Sequence, residues 1–314
     1  MDISVVVCTY NRAGLLPRTL EGLKAQEAPR DLRWELVVVD NNSTDGTREV
    51  IERFIPQAPM PVSHVFEPEQ GLSAARNAGI AHARGEIIAF TDDDVRPAPD
   101  WIAMVGRVQR ESGADLVGGR ILPDWSEPVP RWLREEPELA DRLALMEHDK
   151  AEQLVSMSQP GQIWGANFAA RRSLFERIGM FDTGRGRKAA KLYSGEDSDL
   201  VRRAIKAGCV AVYDPRLVVW HLVETERMRR SYFRRHAFET AEGEALSYPP
   251  PGRRRLFGAP LFAYRHAGTQ LVVWLMAAAG RRHAFARQLD FVAALGRLWG
   301  QWRANRGRGG EAAP

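Results

Sequence analysis

The feature that most constrains the fold is an alternation of apolar, β-branched runs with stretches whose apolar residues recur at helical spacing. The apolar runs occupy residues 3–8, 34–40, 62–66, 86–90 and 114–121. Between them, two groups of residues each share one helix face: Leu15, Leu16, Leu20 and Leu23, and then Ala74, Ala75, Ala78 and Ala81. Strands alternating with helices predict an α/β fold, in which a mostly parallel sheet carries crossover helices.

The later part of the chain departs from this alternation. Residues 122–162 are rich in Pro, Trp and charge and predict an excursion from the sheet that could serve as a lid. A strand over 163–170, a helix over 171–178, a helix beginning at Glu196 and a strand over 210–221 complete a domain expected to span 1–222. Residues 223–303 predict a helical, basic C-terminal extension, and 304–314 a disordered tail.

The net charge of +4 hides an uneven distribution. Residues 216–314 hold 17 Lys and Arg against 7 Asp and Glu, whereas the first 215 residues are mildly acidic. This split indicates a second role for the basic region, but no known nucleic-acid-binding module accompanies it, so we expect no nucleic-acid partner. We expect Cys8 and Cys209 to be reduced core residues of a cytoplasmic protein. We also expect neither a signal peptide nor a membrane-spanning helix.

Three adjacent carboxylates, Asp92, Asp93 and Asp94, follow one predicted strand. Adjacent negative charges repel each other, so their presence indicates a cation among them. The chain lacks the glycine-rich loops that cradle phosphates, and a divalent cation, Mn²⁺ or Mg²⁺, could bind a phosphorylated ligand instead. Asp92 and Asp94 would then point to the same side. The alternative is a solvated acidic turn in which Asp100 caps the next helix.

Polar residues also end the neighbouring predicted strands, and parallel sheets bind ligands at that edge. Asp40 could accept a hydrogen bond from a nucleobase N–H, and Asn41, Asn42 and Ser43 offer further polar contacts. The alternative is an Asx-type turn, which Asp45 and Gly46 fit better than Asp40 does.

Five segments together resemble the family 2 glycosyltransferases, which have the GT-A fold. They are VVVCTYNR, ELVVVDNNSTDGT, GLSAARNAGI, IIAFTDDDVRPAPDW and SGEDSDLVRRAIKAG. Their order and spacing match that family over roughly residues 3–222. The resemblance implies inverting, metal-assisted transfer of a sugar from a nucleotide-diphospho-sugar to a hydroxyl group. Residues 1–121 would bind the donor, and residues 122–222 would form the acceptor side.

The resemblance also implies a donor and metal site. Asp40 would read the base, and the donor pocket would further include Thr9, Tyr10, Arg12, Asn42, Arg76, Asp92 and Asp93. Asp94 would bind the metal directly, with Asp92 nearby and His221 completing the site. His221 could instead be a strand-end histidine bonded to backbone, and the segment of Arg76 and Asn77 could be a helix surface.

The resemblance places the acceptor chemistry later in the chain. Asp197 would be the general base, with Glu196 as its substitute, although Ser194 and Asp197 could simply form a helix capping box. Trp164 and Asn167 would contact the acceptor, or Trp164 could belong to the core. A basic loop with Arg185, Arg187 and Lys188 would close over the diphosphate, or remain solvated.

The basic extension contains an apolar stripe at helical spacing: Phe285, Leu289, Val292, Leu295, Trp299 and Trp302. Together with the arginine-rich segment 251–268 before it, this stripe predicts an amphipathic region at the inner face of the cytoplasmic membrane, where a polyprenyl-diphosphate-linked or other saccharide acceptor would be presented. The alternatives are packing on the catalytic domain or on a second subunit of a homodimer. Two rival functions are a nucleotidyltransferase and a non-catalytic membrane-surface scaffold of the same fold.

Overall fold

A computed structural model describes residues 1–148, 153–156, 163–187, 191–247, 255–256, 259–280 and 283–308. The chain divides into two compact units. Unit 1 comprises Met1–Trp125, Ala144–Thr183 and Glu196–Val223, and unit 2 comprises Ser126–Leu143, Gly184–Gly195 and Glu224–Pro314. The last boundary falls one residue from the predicted one. Unit 2 also takes in 126–143 and 184–195, which the sequence pattern assigned to the catalytic domain.

Unit 1 contains nine strands and six α-helices among the described residues. The strands are β1 (Ile3–Thr9), β2 (Trp34–Asp40), β3 (Val62–Phe66), β4 (Ile87–Asp92), β5 (Val95–Pro97), β6 (Leu116–Trp125), β7 (Gln153–Leu154), β8 (Asn167–Arg171) and β9 (Ala211–Val223). The helices are α1 (Leu16–Lys24), α2 (Thr47–Phe54), α3 (Leu72–His82), α4 (Trp101–Ser112), α6 (Arg172–Ile178) and α7 (Glu196–Lys206).

The strands form one sheet in the order β3-β2-β1-β4-β8-β6-β9-β5, and β7 pairs with β9. The half from β3 to β4 is parallel, as predicted. In the other half, β8 runs antiparallel to both β4 and β6, whereas β6 and β9 are parallel. The α/β architecture is therefore confirmed, with a mixed rather than a parallel second half.

The central strands are apolar throughout because helices cover both faces of the sheet. Val5 and Val7 of β1 contact one core cluster, and Val6 between them contacts the other. Helix α3 lies close to this second face: a methyl group on Gly79 would collide with Val6. Both cysteines are free thiols, and burial raises the pKa of Cys8 to about 12. The prediction that they are reduced core residues is borne out for Cys209, which is buried, and Cys8 is nearly so.

Two predicted boundaries in unit 1 shift. The strand expected over 163–170 begins only at Asn167, because a turn precedes it in which the Asn167 N–H donates to the Trp164 carbonyl (3.1 Å). Strand β6 continues to Trp125, so the excursion from the sheet begins at Ser126. Asp100 does precede helix α4, but its side chain makes no capping hydrogen bond.

Unit 2 is mainly helical, which confirms the predicted helical extension. It contains α5 (Arg131–Arg134), a 3-10 segment (Pro137–Leu143), α8 (Arg230–Ser247), α9 (Leu261–Gly280), α10 (Ala284–Arg308) and the short strands β10 (Arg255–Leu256) and β11 (Ala259–Pro260). Helix α10 includes residues 304–308, where we expected disorder, and 309–314 lie outside the described residues. None of the helices that the structure describes is long and apolar enough to cross a membrane.

The apolar stripe predicted on α10 is divided between two environments. Phe285 and Leu289 are buried, and Phe285 packs edge-on against Trp132 and Phe233 within unit 2. Leu295 and Trp299, farther along the helix, are exposed. The first half of the stripe thus has a packing role, which was one of the alternatives.

Candidate active site

The carboxyl ends of the central strands bring several of the predicted site residues together in unit 1. Thr9, at the end of β1, pairs with Asp40 of β2, and the preceding Cys8 pairs with Asp92 of β4. Because parallel strands end at one edge of the sheet, Asp40 and Asp92, which we predicted to contact the donor, lie at the same edge on the two strands that flank β1. Tyr10 is half-buried beside them and Thr9 is buried.

Asp40 is nearly buried, and its Oδ1 accepts a hydrogen bond from the Ser43 N–H (2.9 Å). The Asx-type turn considered as an alternative is formed by Asp45, whose Oδ1 accepts a hydrogen bond from the Thr47 N–H (3.0 Å). Asn42 lies exposed after Asp40, in the left-handed region at φ +63°. The Asn41 side chain binds the loop that follows β3, since its amide donates to the carbonyls of Glu67 and Glu69.

The acidic triplet is a region of unfavourable negative charge. Asp93 and Asp94 are buried, whereas about a third of the Asp92 side chain is exposed. Burial, together with the adjacent Asp94 carboxylate, raises the pKa of Asp93 to about 7, against the opposing effect of Arg12. The Arg12 Nε lies 3.9 Å from Asp93 Oδ1, so this arginine partly balances the charge.

Asp94 and His221 form the pair expected of a metal site. The His221 Nε2 and the Asp94 Oδ1 lie 3.3 Å apart, and both side chains are buried. The pairing of β5 with β9 sets this contact, because Val95 is opposite His221. Among the residues that the structure describes, no three acidic, histidine or cysteine side chains are grouped to hold an ion. Two protein ligands still fit Mg²⁺ or Mn²⁺, which commonly complete their shell with waters and substrate phosphates.

Arg76 lies at the centre of the site, but its role differs from the donor contact we expected. Its side chain is only 3% exposed. Its Nη1 donates to Glu196 Oε1 (2.9 Å), and its Nη2 lies 3.8 Å from Asp92 Oδ1. Burial lowers the pKa of Arg76, but the Glu196 and Asp92 carboxylates outweigh it and raise that pKa above its ordinary value. Arg76 therefore clamps two acids of the site from below the surface.

Gly165 is the second central residue, and sequence reasoning missed it. A methyl group there would occupy the position of the Arg76 guanidinium. The Gly165 N–H also donates to Asp197 Oδ2 (3.0 Å). The tight approach of Arg76 to this backbone therefore requires glycine, and the only sequence signal was the glycine itself, in the WGAN turn.

The two candidate bases at the start of α7 have different surroundings. Glu196 is buried and paired with Arg76, whereas Asp197 is partly exposed. Asp197 accepts hydrogen bonds from two backbone N–H groups, those of Gly165 and Ser198. Asp199 is held by Arg203 (2.9 Å) on the same helix.

The two predicted acceptor residues, Trp164 and Asn167, differ in burial and in their contacts. Trp164 is half-buried and packs against the core. Asn167 is fully buried, its amide donates to the carbonyls of Arg120 and Leu217, and its Oδ1 accepts from the Trp101 indole N–H. The polar atoms of Asn167 hold strands together, and its predicted contact with the acceptor stays a prediction. Asn77 likewise bonds the backbone of Phe181.

The sequence profile of glycosyl transferase family 2 matches residues 4–179. The chain belongs to this family. That membership favours a glycosyltransferase over the nucleotidyltransferase considered from the sequence. All the residues of the predicted site except Asp197, Glu196 and His221 lie within the matched range.

Several characterised proteins of this kind are similar to the chain. It is 32% identical over 134 residues to the succinoglycan biosynthesis protein ExoM of Rhizobium meliloti, an alignment that covers 43% of each protein. It is 28% identical over 221 residues to the glucosyl-dolichyl phosphate glucuronosyltransferase of Haloferax volcanii, which covers 68% of this chain and 64% of that protein. The chain therefore spans less than two thirds of the length of these relatives.

Solved structures share the fold. The mannosyltransferase PcManGT of Pyrobaculum calidifontis, in complex with GDP-Man and Mn²⁺, has a TM-score of 0.63 at 23% identity, over 95% of this chain and 87% of that one. TarS 1-349 of S. aureus, in complex with UDP, has a TM-score of 0.53 at 19% identity, over 100% and 93% of the two chains. These likenesses establish the GT-A fold.

Proposed function

We propose that the protein transfers a sugar from a nucleotide-diphospho-sugar to an acceptor hydroxyl with inversion at the anomeric carbon. The observation that carries this proposal is the different treatment of the two acids that begin α7. Arg76 neutralises Glu196 in the interior, which leaves Asp197 as the accessible carboxylate. A general base must reach the proton that it abstracts, so Asp197 fits the role and Glu196 does not.

Asp197 would take the proton of the acceptor hydroxyl as its oxygen attacks the anomeric carbon. The bond from that carbon to the diphosphate oxygen breaks, and the nucleoside diphosphate leaves with the electron pair. The hydrogen bonds from Gly165 and Ser198 hold the Asp197 carboxylate in one orientation before the attack. Such positioning lowers the barrier because the reacting groups are already aligned.

The donor would lie along the ends of β1, β2 and β4. Asp40, with Thr9, Tyr10 and Asn42, would contact the base and ribose, while Arg12 would stabilise the neighbouring Asp93. A divalent ion held by Asp94 and His221, with Asp92 nearby, would neutralise negative charge on the diphosphate. Arg76 would act on the donor only indirectly, through Asp92.

The acceptor site would include Trp164, which would offer an aromatic platform for a sugar ring. Saccharide and polyprenyl-diphosphate-linked acceptors both fit, and polysaccharide assembly is suggested by the name of ExoM. Such an enzyme would work in the cytoplasm at the inner membrane face. Closure of the basic loop remains a prediction, since Arg185 and Arg187 belong to unit 2 and Lys188 lies outside the described residues.

The test compares two isosteric variants, Asp197→Asn and Glu196→Gln, with a panel of nucleotide-sugars and Mn²⁺. We expect Asp197→Asn to lower turnover by about 10²- to 10⁴-fold while the KM for the donor changes little. Glu196→Gln should retain much more turnover. If Glu196→Gln abolishes transfer and Asp197→Asn does not, the assignment of the base is wrong. Retention of anomeric configuration, read by NMR, would contradict inversion, and the absence of any donor binding would favour the scaffold.

A further inference from the structure

Helix α9 packs on unit 2 through one face. Ala263 and Ala267 are buried, and Leu271 and Trp274 are half-buried farther along the same face. Trp274 stacks on Phe291 of α10, with ring centroids 5.6 Å apart. The spacing of these residues is that of one helix face, so this face alone attaches α9 to the rest of the unit.

The opposite face of α9 carries six further apolar side chains, all of them large or branched. We call the following residues the α9 apolar face: Leu261, Phe262, Val272, Val273, Leu275 and Met276. Their exposed fractions range from 37% to 70%. A globular helix normally buries its large apolar residues, so a cluster of this kind marks an interaction surface.

The charge around this face identifies the partner. Residues 245–289 contain seven arginines and no Asp or Glu. Arg265 and His266 are exposed on α9 itself. A partner that covers this face must accept apolar side chains and offer negative charge. A second copy in a symmetric dimer would instead place the exposed Arg265 near its own equivalent, where like charges repel.

We propose that the α9 apolar face docks on a lipid surface that carries anionic headgroups. Helix α9 would lie in the plane of the interface, with its large apolar side chains among the acyl chains and the arginines near the phosphates. The sequence prediction placed the membrane contact on the stripe of α10 together with residues 251–268, and this assignment moves it to the exposed face of α9. It specifies the membrane contact of the proposed transferase and does not depend on the sugar chemistry.

The test is co-sedimentation of the full chain with vesicles, without donor or acceptor. One vesicle preparation contains phosphatidylglycerol mixed with phosphatidylcholine, and the other contains phosphatidylcholine alone. We expect binding to the anionic vesicles that weakens as salt is raised. The triple variant Val272→Asn, Leu275→Asn, Met276→Asn should bind at least about tenfold more weakly, because three apolar side chains no longer leave water. The double variant Met180→Asn, Val210→Asn is the matched control, since it changes two exposed apolar residues of unit 1 and should bind like the wild type.

A second variant, Arg265→Gln with His266→Gln, keeps the apolar face and removes charge. It should weaken binding to the anionic vesicles, and it carries the test if the triple variant fails to fold by circular dichroism. The proposal is overturned if the wild type binds neither preparation, or if the folded variants bind as it does. It is also overturned if light scattering shows a wild-type dimer that the triple variant converts to a monomer with vesicle binding unchanged. Loss of transferase activity in the Asp197→Asn variant would leave these readings unaffected.

Discussion

The buried ion pair of Arg76 with Glu196 gives a sharp test of how much the site contributes to stability. The two side chains are 3% and 6% exposed, and the Nη1 to Oε1 distance is 2.9 Å. The pair of Arg48 with Glu52 on helix α2 has a similar distance, 2.7 Å, but its side chains are 70% and 50% exposed. The two pairs thus differ mainly in burial.

We expect Arg76→Met to lower the free energy of unfolding by about 3–5 kcal/mol, because it leaves the Glu196 carboxylate buried without its countercharge. Arg48→Met should change the free energy of unfolding much less, since water solvates the remaining Glu52. Urea denaturation of both variants beside the wild type, followed by circular dichroism, measures the difference.

Comparing Arg76→Met with Arg48→Met also shows which result would contradict this expectation. If Arg76→Met loses as little stability as Arg48→Met, the Glu196 carboxylate is solvated or protonated in the variant at little cost. Arg76 would then not be needed to neutralise Glu196 in the interior of the site. Glu196→Gln should cost less than Arg76→Met, since Asp92 and Asp197 still balance the arginine.

Three further predictions address the site and the second unit. Gly165→Ala should destabilise the protein by about 1–3 kcal/mol and lower its activity, because the new methyl group displaces Arg76. Gly14→Ala, where a methyl group meets open space, is the control, and equal effects in the two would contradict the close approach. A nucleoside diphosphate at a hundredfold excess over its Kd should stabilise the wild type by about 2.7 kcal/mol with Mn²⁺ present. In thermal melts, Asp94→Asn should lose the Mn²⁺-dependent part of this stabilisation. If the variant keeps it, Asp94 does not bind the metal. Burial, with help from Arg142, Arg187 and Arg227 and against Glu239, lowers the pKa of His236 to about 4. Because the unfolded chain then binds more protons, stability should be fully present above pH ~6.5 and fall by up to about 3 kcal/mol as the pH drops toward 4. His236→Gln should flatten this part of the pH profile relative to the exposed His82→Gln, and parallel profiles would contradict a neutral buried His236.

Local patterns predicted much of unit 1. The apolar runs located β1 to β4, β6 and β9, because strands buried on both faces need continuous apolar residues. The strand ends indicated Asp40, Asp92, Asp94 and His221, since parallel strands present their carboxyl ends at one edge. The contact of Asp94 with His221, which are 127 residues apart in the chain, depends on the antiparallel pairing of β5 with β9, which the sequence pattern did not predict.

Other features depend on contacts that periodicity does not encode. Arg76 meets a glutamate 120 residues away and passes a backbone that only glycine allows, so its inward direction could not be read from the ARN motif. Asn167 was predicted to contact the acceptor because the WGAN segment resembles the acceptor segment of the family and an amide can hydrogen-bond hydroxyls. The antiparallel insertion of β8 turned its amide into the sheet instead.

The sequence by itself determined which segments become strands and helices, and which acids gather at one edge of the sheet. Both follow from local hydrophobic pattern and from the geometry of parallel strands. Only the tertiary structure decided which face of each C-terminal helix is covered. An apolar stripe indicates that a face avoids water, and α10 buries the start of its stripe on unit 2 while α9 leaves its larger apolar side chains exposed. The physical reason is that burial depends on what another segment brings against a helix, which the helix's own residues do not specify.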